Sequence, residues 1–357
     1  MRLRFERGPP DNVETLQPAY FALVMATGIV ALATHLHSIY ALPNILFWLN
    51  AFFFITLIIV TGVRIVRYPD AFAADLHSHS RGVGFFTVIA AFGVFGSELV
   101  LQMEAVGLAI FFWIIAVVLW LVVTYGILTL LTIKLDKPSL ADGINGGWLV
   151  IVVATQSVSI LTVLILPSFV SANLQKLLMF MALILWLSGG AMYLWLTTLI
   201  FFRYTFLPMP AEDLTPPYWI NMGSVAISTL AGATLLGQSA LSPIVAELEP
   251  FVKGLTLFFW SVGSWWIPML IVLNVWRYLI CGVPFTYDPL DWGGVFPLGM
   301  YSVCTYQLAK ILGASFLNPV SYAFMIVALA AWMVTFVGLV DSRLNSRHAH
   351  DAGADRV

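Results

Sequence analysis

Ten long apolar segments, separated by short polar stretches, make up almost the whole chain. A helix needs about 20 apolar residues to cross about 30 Å of hydrocarbon, and inside lipid its backbone groups must be satisfied within the segment. The pattern therefore predicts an all-α membrane protein in which residues 18–340 form ten transmembrane helices. Residues 1–17 precede this region, and residues 341–357 are expected to form a disordered tail. The predicted segments are Pro18–His35, Pro43–Val66, Gly82–Met103, Val106–Ile133, Ala141–Leu166, Leu174–Phe202, Pro217–Ala240, Pro250–Ile280, Leu290–Leu312 and Pro319–Val340.

The odd-numbered segments differ in composition from the even-numbered ones. Small and weakly polar residues are frequent in the odd segments, such as Gly93 in the third, whereas the even segments are bulky and aromatic, such as Trp265 and Trp266 in the eighth. Small residues let helices approach closely, and weakly polar ones face protein or water. Aromatic residues suit the lipid-facing side. Because the loops are short, the alternation predicts five helical hairpins, each with one inner and one outer helix, around a central pore.

Two of the odd segments carry polar stripes at helical spacing. The polar positions follow i, i+3, i+7 in the seventh segment and i, i+4, i+7 in the fifth, so each set lies on one side of a helix. These stripes predict the wall of a polar conduit. In a membrane helix, however, hydroxyl groups also bond back to their own backbone or cross-link neighbouring helices. The candidate pore-lining residues are Asn221, Ser224 and Ser228 of the seventh segment, Thr155 and Ser159 of the fifth, and Thr27, Gly28, Gly93 and Gly299 of the others.

Composition and charge narrow the class of protein. Hydrophobic residues make up 61% of the 357 residues and charged residues only 10%, against about 25% charged residues in a soluble protein. The net charge of −2 gives no reason to expect a nucleic-acid partner. Cytoplasmic loops are enriched in Lys and Arg, so the uneven distribution of cations predicts a multi-pass protein of the inner or plasma membrane with both termini cytoplasmic. Cations on the N-terminal side are Arg2, Arg4, Arg7, Arg64, Arg67, Arg81, Lys134, Lys137, Arg203, Arg277, Arg343, Arg347 and Arg356, and those on the other side are Lys176, Lys253 and Lys310.

Few side chains within the spans can support catalysis, coupling or metal binding. No Gly-rich phosphate loop followed by Lys-Ser/Thr is present, so ATP-driven pumping is not expected. Histidines and carboxylates do not converge at one depth, as a membrane-embedded enzyme would need, and the three His-x-His pairs fall at different levels. We therefore predict no enzyme, no metal site and no cofactor. Glu98 is the candidate for proton coupling, and the alternative is that it is solvated near the outer mouth of the third span.

The ninth segment contains an irregular sequence, Trp292-Gly293-Gly294-Val295-Phe296-Pro297-Leu298-Gly299. A proline within a span removes a backbone hydrogen bond and kinks the helix. Irregular backbone is tolerated in a membrane only where protein or water meets it. Phe296 is therefore a candidate for a hydrophobic plug, which would gate a pore by dewetting. From the residues alone, a packing role for Phe296 is the simpler interpretation.

Four stretches of the chain resemble the tellurite-resistance/dicarboxylate transporter family, which also includes plant slow-type anion channels, fungal malate permeases and fungal sulfite efflux pumps. The resemblance implies ten helices as five hairpins, with the odd helices around a pore, and a homotrimer with one pore per subunit. It also implies a phenylalanine on the ninth helix that closes the pore, and Phe296 matches this gate because it immediately precedes Pro297. The four stretches are Tyr20–Val30, Pro216–Gly223, Ser264–Pro268 with Trp276 and Arg277, and Trp292–Gly299.

This resemblance implies transport of small anions across the bilayer, through a passive channel or channel-like uniporter gated by Phe296. The alternative is a proton-coupled carrier of C4-dicarboxylates such as malate, or of sulfite, in which Glu98 carries the proton. The tellurite in the family name is not taken as a substrate. A collar of cations at the cytoplasmic ends is expected to raise the local anion concentration, although the positive-inside rule alone would place cations there. The collar residues are Arg64, Lys134, Arg203 and Arg277.

Overall fold

The part of the chain that the structure describes is helical and contains no strand. The computed structural model describes residues 12–284 and 286–354, with side chains as far as Leu344. Ten long helices lie within these ranges. They are α1 (Ala22–Leu36), α2 (Leu42–Arg67), α3 (Phe86–Leu101), α4 (Val106–Ile133), α5 (Val150–Ile165), α6 (Ala172–Phe206), α7 (Ile220–Gly237), α8 (Glu249–Val275), α9 (Trp292–Leu312) and α10 (Asn318–Ala354).

Nine helices of the described ranges are long and apolar enough to cross a membrane. The ninth predicted span, Leu290–Leu312, folds as the 21-residue helix α9 but is not among them. This helix carries two glycines in its first turn, Pro297 in its interior and Lys310 in its last turn, and it ends at Gly313, whose φ of +65° favours glycine. A helix enclosed by other helices meets protein instead of lipid, so it needs less apolar surface than the others.

The alternation of composition along the chain corresponds to an alternation of burial. The spans that contain α1, α3, α5 and α7 are 83%, 89%, 94% and 89% buried, whereas those of the even helices are between 11% and 50% buried. Most residues of α9 are also buried, including Trp292 and Phe296. The odd helices therefore form the interior, and each packs against the even helix that follows it.

The five odd helices close into a ring, in which each packs against the next and α9 packs against α1. A glycine lies at each junction of the ring, because a Cβ atom there would come within 2.8 Å of the neighbouring element. Small residues at these positions let the backbones approach closely enough for the ring to close. The glycines and the residues they face are Gly28 and Val94, Gly93 and Ser157, Gly146 and Pro217, Gly223 and Pro297, and Gly299 and Ile29.

A short 3-10 turn precedes every odd helix, and each turn begins with proline or glycine. Proline at the first position of a helix has its φ already fixed and lacks an N–H that would have no partner there. Each turn contacts the next around the ring, and the last contacts the first. We call the side of the molecule where they meet the vestibule face, and the opposite side the far face. The turns are Pro18–Phe21, Gly82–Phe85, Gly146–Leu149, Pro216–Trp219 and Pro289–Asp291.

The last helix extends past Val340, the predicted end of the transmembrane region. Helix α10 continues through the predicted boundary as far as Ala354. Arg343 donates a hydrogen bond from Nη2 to the hydroxyl of Tyr20 at 3.1 Å, and this contact ties the end of α10 to the first 3-10 turn. Residues 1–11 and 355–357, with Arg2, Arg4, Arg7 and Arg356, lie outside the described residues.

Candidate functional site

A cavity of about 480 Å³ opens at the vestibule face, and we call it the vestibule. All five odd helices contribute to its wall at their N-terminal ends. The lining residues of each end are three positions apart and therefore lie on one face of the helix. Phe296 is the deepest residue that α9 contributes. The lining residues of these five ends are Ala19, Ala22 and Met25, then Gly84 and Thr87, then Gly147, Val150 and Val153, then Pro217 and Ile220, and then Gly293 and Phe296.

The N-terminal ends of five helices meet at the vestibule and make its wall electropositive. The first backbone N–H groups of a helix have no partner within the helix, and the helix dipole places partial positive charge at the same end. A ring of such ends around one cavity favours an anion over a cation. This preference arises from the backbone and needs no lysine or arginine in the middle of a span.

Arg203 is the most buried charged residue in the vestibule wall, with a relative exposure of 5%. Its Nη2 lies 3.0 Å from Oδ2 of Asp213, and its Nη1 donates to the hydroxyl of Tyr218. Its Nε is buried without a hydrogen-bond partner among the described residues. Asp213 also lines the vestibule and is half-exposed, so an anion that enters the cavity can reach the Arg203–Asp213 pair.

Arg81 is the second cation of the vestibule wall. Its Nε lies 2.5 Å from Oδ1 of the buried Asp75, and its Nη2 donates to the backbone carbonyls of Thr15 and Leu16. Asp75 also pairs with Arg64, at 2.7 Å. These contacts fix the approach to the first 3-10 turn, so Arg81 has a structural partner on the side away from the cavity.

The predicted cationic collar does not form as a group. Of its four members, Arg203 alone lies in the vestibule wall. Arg64 is bound to Asp75, Lys134 donates to the carbonyl of His77 at 3.1 Å, and Arg277 donates to the carbonyl of Leu214. These three side chains hold loops at the ends of the outer helices.

The two candidate hydroxyl groups of the fifth span, those of Thr155 and Ser159, bond to the outer helices. Thr155 accepts a hydrogen bond from Nε1 of Trp120 on α4 at 2.9 Å. Ser159 donates to the carbonyl of Ala182 on α6 at 2.7 Å. The vestibule residues Val150 and Val153 lie on the opposite side of α5. The stripe that predicted a conduit wall therefore cross-links helices.

Two other candidates, Thr27 and Ser228, also contact outer helices. Thr27 accepts from Nε1 of Trp332 on α10 at 3.0 Å. The backbone carbonyl of Ser228 accepts from Nε1 of Trp186 on α6 at 2.8 Å. The indole groups of the outer helices are thus anchored on polar atoms of the inner helices, an arrangement that the hydroxyl spacing alone did not indicate.

The remaining candidate lining residues lie within the ring. Asn221 donates to the carbonyl of Tyr218 at 2.8 Å and to the hydroxyl of Tyr204 at 3.4 Å. Ser224 lies one turn after the vestibule residue Ile220 and donates to its carbonyl at 2.8 Å. Gly28, Gly93 and Gly299 lie at ring junctions, as described above. Of the candidate gating and lining residues, Phe296 is the one in the vestibule wall.

Phe296 is fully buried, with a relative exposure of 1%. The wall positions of the five helices continue beyond it at steps of three or four residues. These continuing positions are mostly apolar and buried, so the interior of the ring is closed above the vestibule. They include Ile29 and Leu32 on α1, Ala91 and Val94 on α3, Ser157 and Leu161 on α5, Ser224 and Ile227 on α7, and Met300 and Val303 on α9.

Glu98 does not lie at a solvated mouth, which corrects one of the two interpretations of this residue. Its side chain is fully buried and accepts a hydrogen bond from Nδ2 of Asn50 at 2.6 Å. It lies one turn after Val94, where α3 meets Gly28 of α1 and Asn50 of α2. Asn50 was not among the predicted site residues, although an amide in the interior of an apolar, aromatic outer segment was a visible signal.

One protein family and several relatives are similar to this chain. Residues 15–340, which include all five 3-10 turns and the whole ring, match the SLAC1 family, described as voltage-dependent anion channel. A membrane protein of Mycobacterium tuberculosis is 36% identical over 149 residues, which cover 42% of this chain and 75% of that protein. A transporter of Methanocaldococcus jannaschii is 25% identical over 341 residues, which cover 92% of this chain and 95% of that protein. The sulfite efflux pump SSU1 of Arthroderma benhamiae is 24% identical over 353 residues, with coverage of 91% and 90%.

Proposed function

The chain belongs to the voltage-dependent anion channel family, and on this premise we propose that it is a passive conduit for small anions that Phe296 closes. In this proposal α9 also crosses the membrane, which brings the number of spans to ten. Five helical hairpins then surround a central passage. The bias of Lys and Arg toward the vestibule face supports cytoplasmic termini in a cell membrane, with the vestibule open to the cytoplasm. The family also supports a homotrimer in which each subunit has its own passage.

The observation that carries the proposal is the vestibule itself. It gathers five helix starts around one cavity and ends at a buried phenylalanine. Anions are attracted by the helix ends and by Arg203, and none of the described Lys or Arg side chains is buried deeper in the ring. Conduction requires binding that is favourable enough for entry and weak enough for release, and a wall of helix dipoles and apolar side chains meets both requirements.

Phe296 is suited to close the passage because its surroundings are mostly apolar. The wall positions beyond it are mostly apolar, and a narrow apolar segment resists filling with water. An anion must lose hydration to enter such a segment, which is costly without water or charged partners. Removal of the phenyl ring would widen the segment at its vestibule end and admit water.

Anion selectivity is tested by electrical recording on purified Phe296→Ala protein in planar bilayers with a salt gradient. We expect a reversal potential close to the equilibrium potential of the anion. Chloride, nitrate, sulfite and malate, compared on the same protein, then rank the permeant anions. A reversal potential close to that of the cation would contradict the proposal, because the helix starts should exclude cations.

The second candidate function is a proton-coupled carrier of C4-dicarboxylates or sulfite. It is favoured by the buried carboxyl group of Glu98 and by the similarity to a protein named as a sulfite efflux pump. A carrier would accumulate its anion against a concentration gradient when a pH gradient is applied, whereas a passive conduit would not. Glu98→Gln should abolish uphill transport if the protein is a carrier, and should leave the passive flux if it is a conduit.

A further inference from the structure

Three polar side chains gather in the half of the ring that is nearer the far face. Glu98 lies in the last turn of α3, Asn50 lies opposite it on α2, and Gln102 follows Glu98 by one turn at the end of α3. Gly28 of α1 completes the contact, since a Cβ atom there would lie 2.8 Å from Oε2 of Glu98 and 2.9 Å from Nδ2 of Asn50. Three helices therefore meet at this carboxyl group.

The cluster contains more buried polar atoms than hydrogen bonds. Asn50 and Glu98 share one bond, while Oε1 of Glu98 and Oδ1 of Asn50 are buried without a partner among the described residues. Both polar atoms of the Gln102 side chain are likewise buried and without a partner. Unmatched buried groups are costly, and when several adjoin they are usually satisfied by water.

An ionised carboxylate at this position would be poorly compensated. A buried charge requires an opposite charge or several hydrogen bonds. Among the described residues, Glu98 has one bond from a neutral amide and no ion pair. The two unmatched oxygens belong to residues that already share a bond. A proton on Oε1 would let Glu98 donate to Oδ1 of Asn50 while it accepts from Nδ2, so that acid and amide satisfy each other.

We infer that Glu98, with Asn50 and Gln102, is a proton-binding site beside the passage, loaded from the far face, and that anions pass when it is protonated. Glu98 lies where α3 meets Gly28 of the ring helix α1 and Asn50 of α2, farther from the vestibule than Phe296. In the neutral form it adds no charge to this half of the passage. Once ionised, it places a negative charge close to the path of the anion. Gln102 lies between it and the far face as a polar step for the proton.

Other charged or titratable groups on the elements packed against α3 do not bond to Glu98. Arg64 lies fourteen residues after Asn50, about 21 Å away along the helix. His35 is exposed at the end of α1, and α5 carries no titratable residue. Glu98 is therefore the group to which the pH dependence is assigned. The titratable residues of these elements are Tyr20, His35, Arg64, Arg67 and Tyr125, and Glu104 is exposed in the loop after α3.

Infrared spectroscopy tests the bound proton without relying on transport. Purified protein in lipid at neutral pH should show a protonated carboxylic acid band that Glu98→Gln removes. Glu104→Gln, a change of the same kind in the exposed loop six residues away, should leave this band intact. If Glu98→Gln leaves the band unchanged, the carboxyl group is ionised and the inference is overturned, whatever the protein transports.

Anion flux tests the role of the proton, and this part rests on the proposed function. In liposomes, the flux through Phe296→Ala should fall roughly tenfold from acidic to alkaline buffer, because a nearby negative charge repels the anion. The flux through Phe296→Ala/Glu98→Gln should stay high throughout, whereas Phe296→Ala/Glu104→Gln should behave like Phe296→Ala. If the infrared band is present but the flux through Phe296→Ala does not depend on pH, the cluster is structural and the inference is overturned. If Phe296→Ala conducts no anion at all while the band is present, the proposed function fails and the proton site stands.

Discussion

Replacement of Thr155 by valine separates the two roles that its hydroxyl group can have. Valine has nearly the same shape, so no cavity forms, and the change removes the hydroxyl alone. In the structure this hydroxyl donates to the carbonyl of Ile151 at 2.8 Å and accepts from Nε1 of Trp120 at 2.9 Å. The carbonyl of Ile151 already accepts a hydrogen bond within the helix, so the first bond adds little stability. The loss of the indole bond should therefore dominate the change in stability.

The expected cost follows from that one bond. A buried hydrogen bond contributes about 1 kcal/mol net, and bonds between transmembrane helices average about 0.6 kcal/mol with a maximum near 1.7 kcal/mol. We therefore expect Thr155→Val to lower the free energy of unfolding by about 1 kcal/mol. Thr132→Val is the matched control, since Thr132 is exposed and its hydroxyl makes the same backbone bond, to Leu128 at 2.6 Å. It should change stability by less than about 0.5 kcal/mol.

The assay is reversible unfolding in mixed micelles titrated with SDS, in parallel with anion flux of the same variants in the Phe296→Ala background. A double-mutant cycle with Trp120→Phe should give a coupling energy of roughly 0.5–1 kcal/mol. Flux should be unchanged by Thr155→Val. A stable variant with altered flux or altered preference among anions would refute the reasoning and place Thr155 in the wall of the passage.

Two further predictions concern the ring junction and the vestibule. Gly93→Ala should destabilise the protein by about 1–3 kcal/mol in the same unfolding assay, because its Cβ would overlap α5. Gly107→Ala, which meets open space within a helix, should be neutral or slightly stabilising, and equal effects of the two changes would count against the junction. Asp213→Asn should release Arg203 into the vestibule and lower the half-saturating anion concentration of conduction roughly two- to fivefold. Glu212 lines the same cavity outside that ion pair, so Glu212→Gln should not lower this concentration. An equal effect of the two changes would show that the net charge of the cavity, and not the release of Arg203, is responsible.

The interior and exterior helices could be predicted because span length and small-residue content are local properties. The third span was expected at Gly82–Met103, and the helical span extends from Gly82 to Leu101. The aromatic segments likewise became the exposed helices. The ninth span was predicted at Leu290–Leu312, but α9 is not among the helices that are long and apolar enough to cross a membrane, and it carries Gly293, Pro297 and Lys310.

The directions of individual polar side chains could not be predicted, because they depend on neighbouring helices. The spacing of Thr155 and Ser159 indicates a shared side of α5 but not which neighbour that side meets, and the answer lies partly in the tryptophans of α4. The burial of Glu98 could not be predicted either, because it also depends on the neighbouring helices. It lies near the end of its own helix, whereas its partner Asn50 is roughly 12 Å inside α2, so neighbouring helices extend past the carboxyl group and bury it.

The central claim, that Phe296 closes an anion passage, is tested most directly by anion flux into liposomes with wild-type protein, Phe296→Ala and Phe259→Ala. Phe259 is the matched control, since it is equally buried but packs against Trp186 and Gly190 on the outer side of the ring. We expect low wild-type flux, a rise of roughly tenfold or more for Phe296→Ala, which corresponds to at least about 1.4 kcal/mol of barrier, and no rise for Phe259→Ala. Unchanged flux in a folded Phe296→Ala protein, or an equal rise in both variants, would contradict the account.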